Sequence, residues 1–456
     1  MSTDRTTRFS RISRLYHLFT AILRSRNAFD VAIKLIPPFA KRGFAWPVAI
    51  LMHCAVRPLH RPPAAYRVLV IQKAIFNEDI LQVFATWDEI QTYGIGRAAI
   101  KAMALAYLPP TVCDDATYVT ADRDIEAAKL RYRQFCSRVW RRLQRLRHYD
   151  AVITANWSYW AERELTTALE QLGTPFLVLH KEGIKPPERS KLLRTMFVST
   201  RGRFGGRRIL VYQEDEREHQ LAGGISRPDQ IRIVGMPRLD RIHNWRLQAA
   251  RGEVPVRATR PTLLFLAFLP NNFLPSYSGV ASDLAWNELC CGSYKAVVDL
   301  ARRSPEVDVL IRPRGYELPD VQRLLNYHAP LPTNLRVAVD GEVLPLIQAS
   351  WVICGHNTTA LLESVAAGKP VVVPRFAEAI DPRYSGYIVD VGQAAEYATS
   401  VDDLLARLDC HCSIPAEIPE CLSQSAQAAL AKWTGNADGR SSERVRAALL
   451  DEIRET

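Results

Sequence analysis

The 456-residue chain lacks a stretch from which a membrane span could be built. Its longest apolar run, residues 44–56 with Pro47 inside it, is roughly 13 residues against the ~20 that a spanning helix requires. A secretory signal also fits poorly, because the first apolar run begins late and no small-residue cleavage site follows it. The nine cysteines show no paired spacing, and an odd number argues against a disulfide framework, which suits a reducing cytoplasm. Cys410-His411-Cys412 is too tight for the usual zinc pattern, and Cys290-Cys291 are simply adjacent, so no metal centre is expected. There is no D-x-D metal signature in a fitting context, no low-complexity tract and no repeat of solenoid period. No RNA- or DNA-binding motif accompanies the basic residues, so no nucleic-acid partner is expected. What remains is a globular composition, 48% hydrophobic and 23% charged, on a chain long enough for two domains with separate cores.

Charge of one sign is concentrated rather than scarce. Residues 1–67 carry twelve Lys or Arg against Asp4 and Asp30, almost the whole of the +11 net charge. Apolar runs at 15–23, 29–39 and 44–56 are interleaved with those cations. Residues 1–65 are therefore expected to form a basic amphipathic helical extension lying on an anionic membrane surface. The same pattern also suits helices packed on the protein itself.

The remainder alternates strand-like and helix-like segments, the mark of an α/β fold. Strands are expected at 66–71, after the Pro62-Pro63 break, and at 150–154, 174–180, 209–212 and 230–235. Residues 77–109 read as mostly helical, 122–146 as a long helix, and 185–208 as a loop rich in arginine and glycine. A linker near 245–260 separates this first domain, 66–250, from a second, 260–456. The second has strands at 262–268, 307–314, 335–339, 351–354, 370–374 and 386–390, then helices from 401 onward.

Chemistry is concentrated where such strands stop. Residues 351–374, WVICGHNTTALLESVAAGKPVVVP, read as strand, turn, helix and strand. Gly355 permits a sharp turn, Asn357 is placed to cap the helix, and Gly368 followed by Pro370 ends it. His356, Asn357, Thr358 and Thr359 surround the free N–H groups of the helix start, an anion site worth about 0.3–1 kcal/mol from the dipole. Glu363, one turn beyond Thr359, is suited to grip a ribose diol. A capped structural helix with a solvated glutamate accounts for the same residues. At the end of the 174–180 strand, His180 and Glu182 precede Gly183, and either is a candidate general base. Arg312 and Arg314 flank Pro313 at another strand end, where two guanidiniums can hold a pyrophosphate.

The motif G-x-N-T-T-x-L-L-E-x-x-x-x-G-K-P-V-V-V-P resembles the nucleotide-sugar loop of GT-B glycosyltransferases, nearest to capsule, surface-polysaccharide and teichoic-acid-type transferases. Gly235-Met-Pro-Arg-Leu-Asp240 is similar to the G-x-P-R-x-D element that closes the first domain in many GT-B proteins. The resemblance implies two Rossmann-like domains facing a central cleft, with the acceptor on the first and the nucleotide donor on the second. It implies phosphate at Asn357, Thr358 and Thr359, ribose at Glu363, and a last helix that crosses back to the first domain; no metal or other cofactor is expected, because the helix dipole and the arginines can take its place. The expected reaction moves a sugar or polyol phosphate from a nucleotide to a glycan or lipid-linked acceptor, at the inner face of the cytoplasmic membrane. Non-hydrolysing UDP-sugar epimerases share the architecture, and a catalytically silent membrane assembly factor is a further reading. The chain departs from the family pattern near Arg312-Pro313-Arg314, where a His-Pro pair is usual.

Overall fold

The computed structural model describes residues 28–455 except 63, 74, 75, 86, 121, 182 and 201. Glu182 and the apolar run at 15–23 thus lie outside the described residues.

The first sheet contains β1 (Arg57–His60), β2 (Tyr66–Gln72), β3 (Ile90–Gly96), β4 (Ala151–Thr154), β5 (Phe176–Leu179), β6 (Arg208–Val211) and β7 (Ile231–Ile233). Their order is β1-β3-β2-β4-β5-β6-β7, parallel except for β1, which runs antiparallel to β3. Residues Val68 to Ile71 are all buried, as strands covered by helices on both faces must be. From β2 the chain goes to one side to form β3 and then crosses to β4, so the crevice between β2 and β4 is a topological switch point.

The second sheet contains β8 (Thr262–Leu266), β9 (Asp308–Arg312), β10 (Leu335–Val337), β11 (Val352–Gly355), β12 (Val371–Pro374) and β13 (Glu396–Ala398). All are parallel, in the order β10-β9-β8-β11-β12-β13. Here the switch point lies between β8 and β11, and β11 is the strand of the 351–374 motif. Two Rossmann-like sheets joined in one chain, with their carboxyl edges on a shared cleft, make this a GT-B-like α/β fold. One apolar cluster runs from Val68 and Leu210 in the first domain to Leu264, Leu361 and Leu449, so packing is continuous across the junction.

The final helix, Ser441–Arg454, does cross back to the first domain. Asp240 accepts from the backbone N–H groups of Ser441 at 3.0 Å and Ser442 at 2.7 Å, capping that helix from a distance in sequence. Arg208 reaches Glu452, and Arg232 meets Asp451 at 2.6 Å. Gly235 makes this approach possible: at φ +79°, a Cβ there would lie 2.1 Å from Ser441 Oγ and 2.6 Å from the carbonyl of Gly435. The linker after helix Arg238–Ala250 is tied down by Lys369, whose Nζ donates to the carbonyls of Val256, Gln348 and Ser350 at 2.6, 2.8 and 2.6 Å.

Several segments differ from the sequence expectation. Residues 77–109 contain β3 between two short helices, Asn77–Phe84 and Arg97–Ala104. Gly94 and Gly96 weaken its strand signal, yet a Cβ at either would collide with Gln72 or Phe29 at 2.3 Å. The segment read as a basic loop forms helix Pro187–Thr200, opened by a proline at its first position. Residues 386–390 are not a strand; a 3₁₀ turn, Pro382–Tyr387, occupies the region and β13 completes the sheet instead.

The helices Ala28–Lys41 and Ala45–Ala55 belong to the helical layer of the first sheet. Ala32, Ile36, Val48, Leu51 and Met52 are buried with Phe135, Val139 and other residues of the long helix Arg123–Leu146. Their apolar faces are taken up by protein, so the first domain reaches back at least to residue 28, ahead of the expected boundary at 66.

Candidate functional site

The loop after β11 sits at the second sheet's switch point, pinned to the loop after β8. Asn272 Nδ2 donates to the carbonyls of His356 at 3.3 Å and Asn357 at 3.0 Å. Gly355 is required by proximity, since a Cβ there would stand 2.9 Å from Leu266 Cβ on the neighbouring strand. The sharp turn falls at Asn357 instead, with φ +49°. Its side chain faces away from the helix, donating to the Tyr387 carbonyl at 2.9 Å and accepting from Val389 N at 2.8 Å. Thr358, not Asn357, is the N-cap of helix Thr359–Ala366, its hydroxyl accepting from Ala360 N at 3.4 Å.

His356 turns inward. It is 1% exposed, its ring 4.8 Å from that of Trp286 and 5.3 Å from that of Phe268. Neither ring nitrogen has a hydrogen-bond partner, and burial pushes its pKa down to about 3. Of the residues expected around a phosphate, Thr358 and Thr359 are thus the ones left partly exposed at the helix start.

Glu363 occupies the next turn of that helix and is tied across the cleft. Arg238, from the G-x-P-R-x-D element, donates through Nε to Glu363 at 3.1 Å and through Nη1 to Asp79 at 3.3 Å. Asp79 is fully buried and also accepts from Tyr212 Oη at 3.1 Å and Arg238 N at 3.2 Å. Burial lowers the Arg238 pKa, but Asp79, Tyr212 and Glu363 outweigh it and hold the guanidinium firmly charged. This buried bridge spans the two domains, and its Glu363 end lies beside the helix start.

Arg312 and Arg314 have other employment. Arg312 donates to the carbonyls of Ala338, Asp340 and Gly341 at 2.8, 3.1 and 2.6 Å, clamping the loop after β10. Arg314 pairs with Glu317 at 3.1 Å within its own 3₁₀ turn.

On the first domain, His180 follows β5 and is 3% exposed. Its Nε2 lies 3.1 Å from Glu216 Oε1, while Lys185 Nζ bonds the other carboxylate oxygen. Burial pushes the Glu216 pKa up, yet Lys185, His180 and His219 together drive it well below the usual carboxylate range. Glu216 Oε1 accepts from His180 Nε2, and in the tautomer that makes this bond from a neutral ring the lone pair is on Nδ1. That Nδ1 is buried without a partner. His180 lines a cavity of about 200 Å³ with Asn156, Trp157, Ser158, Arg189 and Gln220. Helix Pro187–Thr200 covers this cavity and reaches the second domain, Arg189 lying 4.8 Å from the ring centre of Phe273. On its far side a second cavity, about 420 Å³, is lined by Lys185 and Arg194 from the first domain and Asp390 and Trp433 from beyond the linker.

Sequence reasoning singled out His180 and Glu363 but not Glu216 or the bridge that Arg238 makes between Asp79 and Glu363. Glu216 lies in an acidic run, 214–218, whose composition distinguishes no member. Among the described residues, no group of three or more His, Cys, Asp or Glu is disposed to hold a metal ion.

No protein-family model and no curated protein matches the chain. Among solved structures it is similar to the UDP-GlcNAc 2-epimerase from Methanocaldococcus jannaschii, at 12% identity over 85% of this chain and 99% of that one, TM-score 0.48. The UDP-GlcNAc 2-epimerase from Neisseria meningitidis bound to UDP-GlcNAc aligns at 13% identity over 85% and 100%, TM-score 0.46. The α,α-trehalose 6-phosphate synthase from Burkholderia multivorans aligns at 11% over 86% and 97%, TM-score 0.42. Similarity this distant lends nothing to a functional assignment, which rests on the residues themselves.

Proposed function

We propose that the protein is a metal-independent transferase that moves a sugar, or a polyol phosphate, from a nucleotide-activated donor to a hydroxyl of a glycan or lipid-linked acceptor. The observation that carries this reading is His180. It is held by Glu216, its buried Nδ1 has no partner, and the residue lines a cavity of the first domain, while the helix start and Glu363 belong to the second. The donor's phosphates meet the N–H groups at Thr358 and Thr359, and its ribose hydroxyls meet Glu363. His180 Nδ1 takes the proton of the acceptor hydroxyl. The acceptor oxygen then bonds to the anomeric carbon, and the bond from that carbon to the diphosphate breaks, its electron pair leaving with the nucleoside diphosphate. With a polyol phosphate the attack is on the outer phosphorus and the nucleoside monophosphate leaves.

The test is thermal shift against UDP-, CDP-, GDP- and CMP-linked sugars, with Glu363→Ala as control. One nucleotide class should raise the midpoint, by about 2.7 kcal/mol of stability at a hundredfold excess over its dissociation constant, and the variant should lose the effect. With that donor, His180→Ala should reduce acceptor-dependent turnover by about 10²–10⁴-fold. Turnover that proceeds fully without any acceptor would identify an epimerase instead, and no shift with any nucleotide would sink the donor site.

A further inference from the structure

The long helix Arg123–Leu146 buries Tyr132, Phe135, Val139 and Leu143 along one face. Its sequence contains no acidic residue between Glu126 and Asp150. Some of its cations are neutralised locally: Lys129 by Glu126, and Arg133 by Glu164. Farther along, Arg138, Arg141 and Arg145 are exposed and Arg142 is half-buried. No carboxylate among the described residues forms an ion pair with any of these four.

The turn between helices Ala28–Lys41 and Ala45–Ala55 leans against this row. Gly43, at φ +72°, brings the turn so close that a Cβ on it would lie 3.8 Å from the Arg138 guanidinium. Arg142 lies 5.7 Å from the ring centre of Trp46. Phe44 and Trp46 are 50% and 42% exposed, although the helix they open is otherwise mostly buried. Lys41 and Arg42, immediately before them, are exposed and likewise form no ion pair among the described residues. The Arg142–Trp46 contact is itself a favourable cation–π pair, but the uncompensated cations repel one another and the exposed rings remain in contact with water. The interface of an anionic bilayer relieves both, because rings settle at the headgroup level while lipid phosphates meet the cations.

We propose that the face where the 41–46 turn meets the arginine row of helix Arg123–Leu146 docks on an anionic lipid surface. This places the contact on the folded first domain. It differs from the expectation of helices lying flat on a membrane, since the helices from residue 28 onward bury their apolar sides in protein. A nucleic-acid backbone would satisfy the cations, but it offers the protruding Phe44 no apolar layer. No helix among the described residues is long and apolar enough to cross a membrane.

The test is co-sedimentation of the full chain with phosphatidylcholine vesicles, with or without a third of phosphatidylglycerol. The wild type should partition to the anionic vesicles alone and be released by salt. Each neutralised arginine should lower the partition coefficient about fivefold, so R138Q/R141Q/R142Q/R145Q should abolish detectable binding. F44S/W46S should weaken binding while leaving its salt dependence unchanged. Circular dichroism verifies folding, and R138Q/R141Q serves if the fourfold variant does not fold. Binding as tight as wild type by both the charge and the ring variants would overturn the proposal and assign the contact to the basic segment before residue 28. Equal binding to neutral vesicles would also overturn it. So would tight binding of an RNA oligonucleotide, lost in the charge variant, without vesicle binding.

Discussion

Replacing His356 by phenylalanine tests the inward orientation of that ring, and the structure sets the size of the effect. In the unfolded chain the imidazole titrates near 6.5, whereas burial holds the folded group at about 3. Throughout that interval the unfolded state binds the extra proton, so stability falls as the solution is acidified below 6.5. At about pH 5 the loss from this one residue is ~2 kcal/mol, one and a half pH units at ~1.4 kcal/mol each. Phenylalanine preserves an aromatic outline against Trp286 and Phe268 and brings no group to protonate. His219, held at about 4 by burial and Lys185, produces a slope of the same sign in both proteins, so the comparison is a double difference. Urea unfolding of wild type and His356→Phe at about pH 8 and pH 5 should give nearly equal stabilities at the higher pH and a ~2 kcal/mol advantage for the variant at the lower. Nucleotide binding should be unchanged. Identical pH dependence in the two proteins would refute the burial argument, and loss of nucleotide binding would return His356 to the cleft.

Arg238→Met should cost about 3–5 kcal/mol, because it leaves Asp79 and Glu363 buried without their cation; Asp79→Asn in the same chain should restore part of the loss, read by thermal denaturation. Glu216, whose pKa lies below its usual 4.5, contributes in full above about pH 4.5 and loses that contribution as pH falls through its folded value. Glu216→Gln should accordingly flatten the acid limb of a stability–pH curve while lowering acceptor-dependent turnover. Gly235→Ala should destabilise by about 2–5 kcal/mol through its left-handed backbone and the collision with the last helix. Limited proteolysis should then remove Ser441–Arg454 readily; a resistant tail would contradict the docking geometry.

Much of the architecture was legible because each βα unit repeats one pattern: a short buried apolar run, a polar loop, then an amphipathic helix. The 351–374 stretch was read correctly as strand, helix and strand, with Leu361, Leu362 and Val365 buried as its helical period requires, but its sharp turn lies at Asn357 and its cap at Thr358. The last helix's crossing came from resemblance, and Asp240 supplies its physical cause by capping Ser441 and Ser442 across some 200 positions. What escaped was set by tertiary crowding. Gly94 and Gly96 look like helix or strand breakers until Gln72 and Phe29 are seen filling the space beside them. The two helices from residue 28 to 55 look like surface binders until Phe135 and Val139 are found beneath them.

The polar residues at strand ends show a different limit. Arg312, Asn357 and His180 have the same sequence credentials, each a polar side chain just past an apolar run at a carboxyl edge. Arg312 spends its donors on three loop carbonyls, and Asn357 spends both ends of its amide on Tyr387 and Val389. A loop at such an edge has backbone groups to satisfy before it can bind anything, and a polar side chain is the nearest means of doing so. His180 differs because Glu216, supplied by another βα unit, pairs with one nitrogen while the other is buried without a partner, in a residue that lines a cavity. The distinction between a loop clamp and the base of the proposed reaction therefore resides in the partner, which no local window of sequence contains.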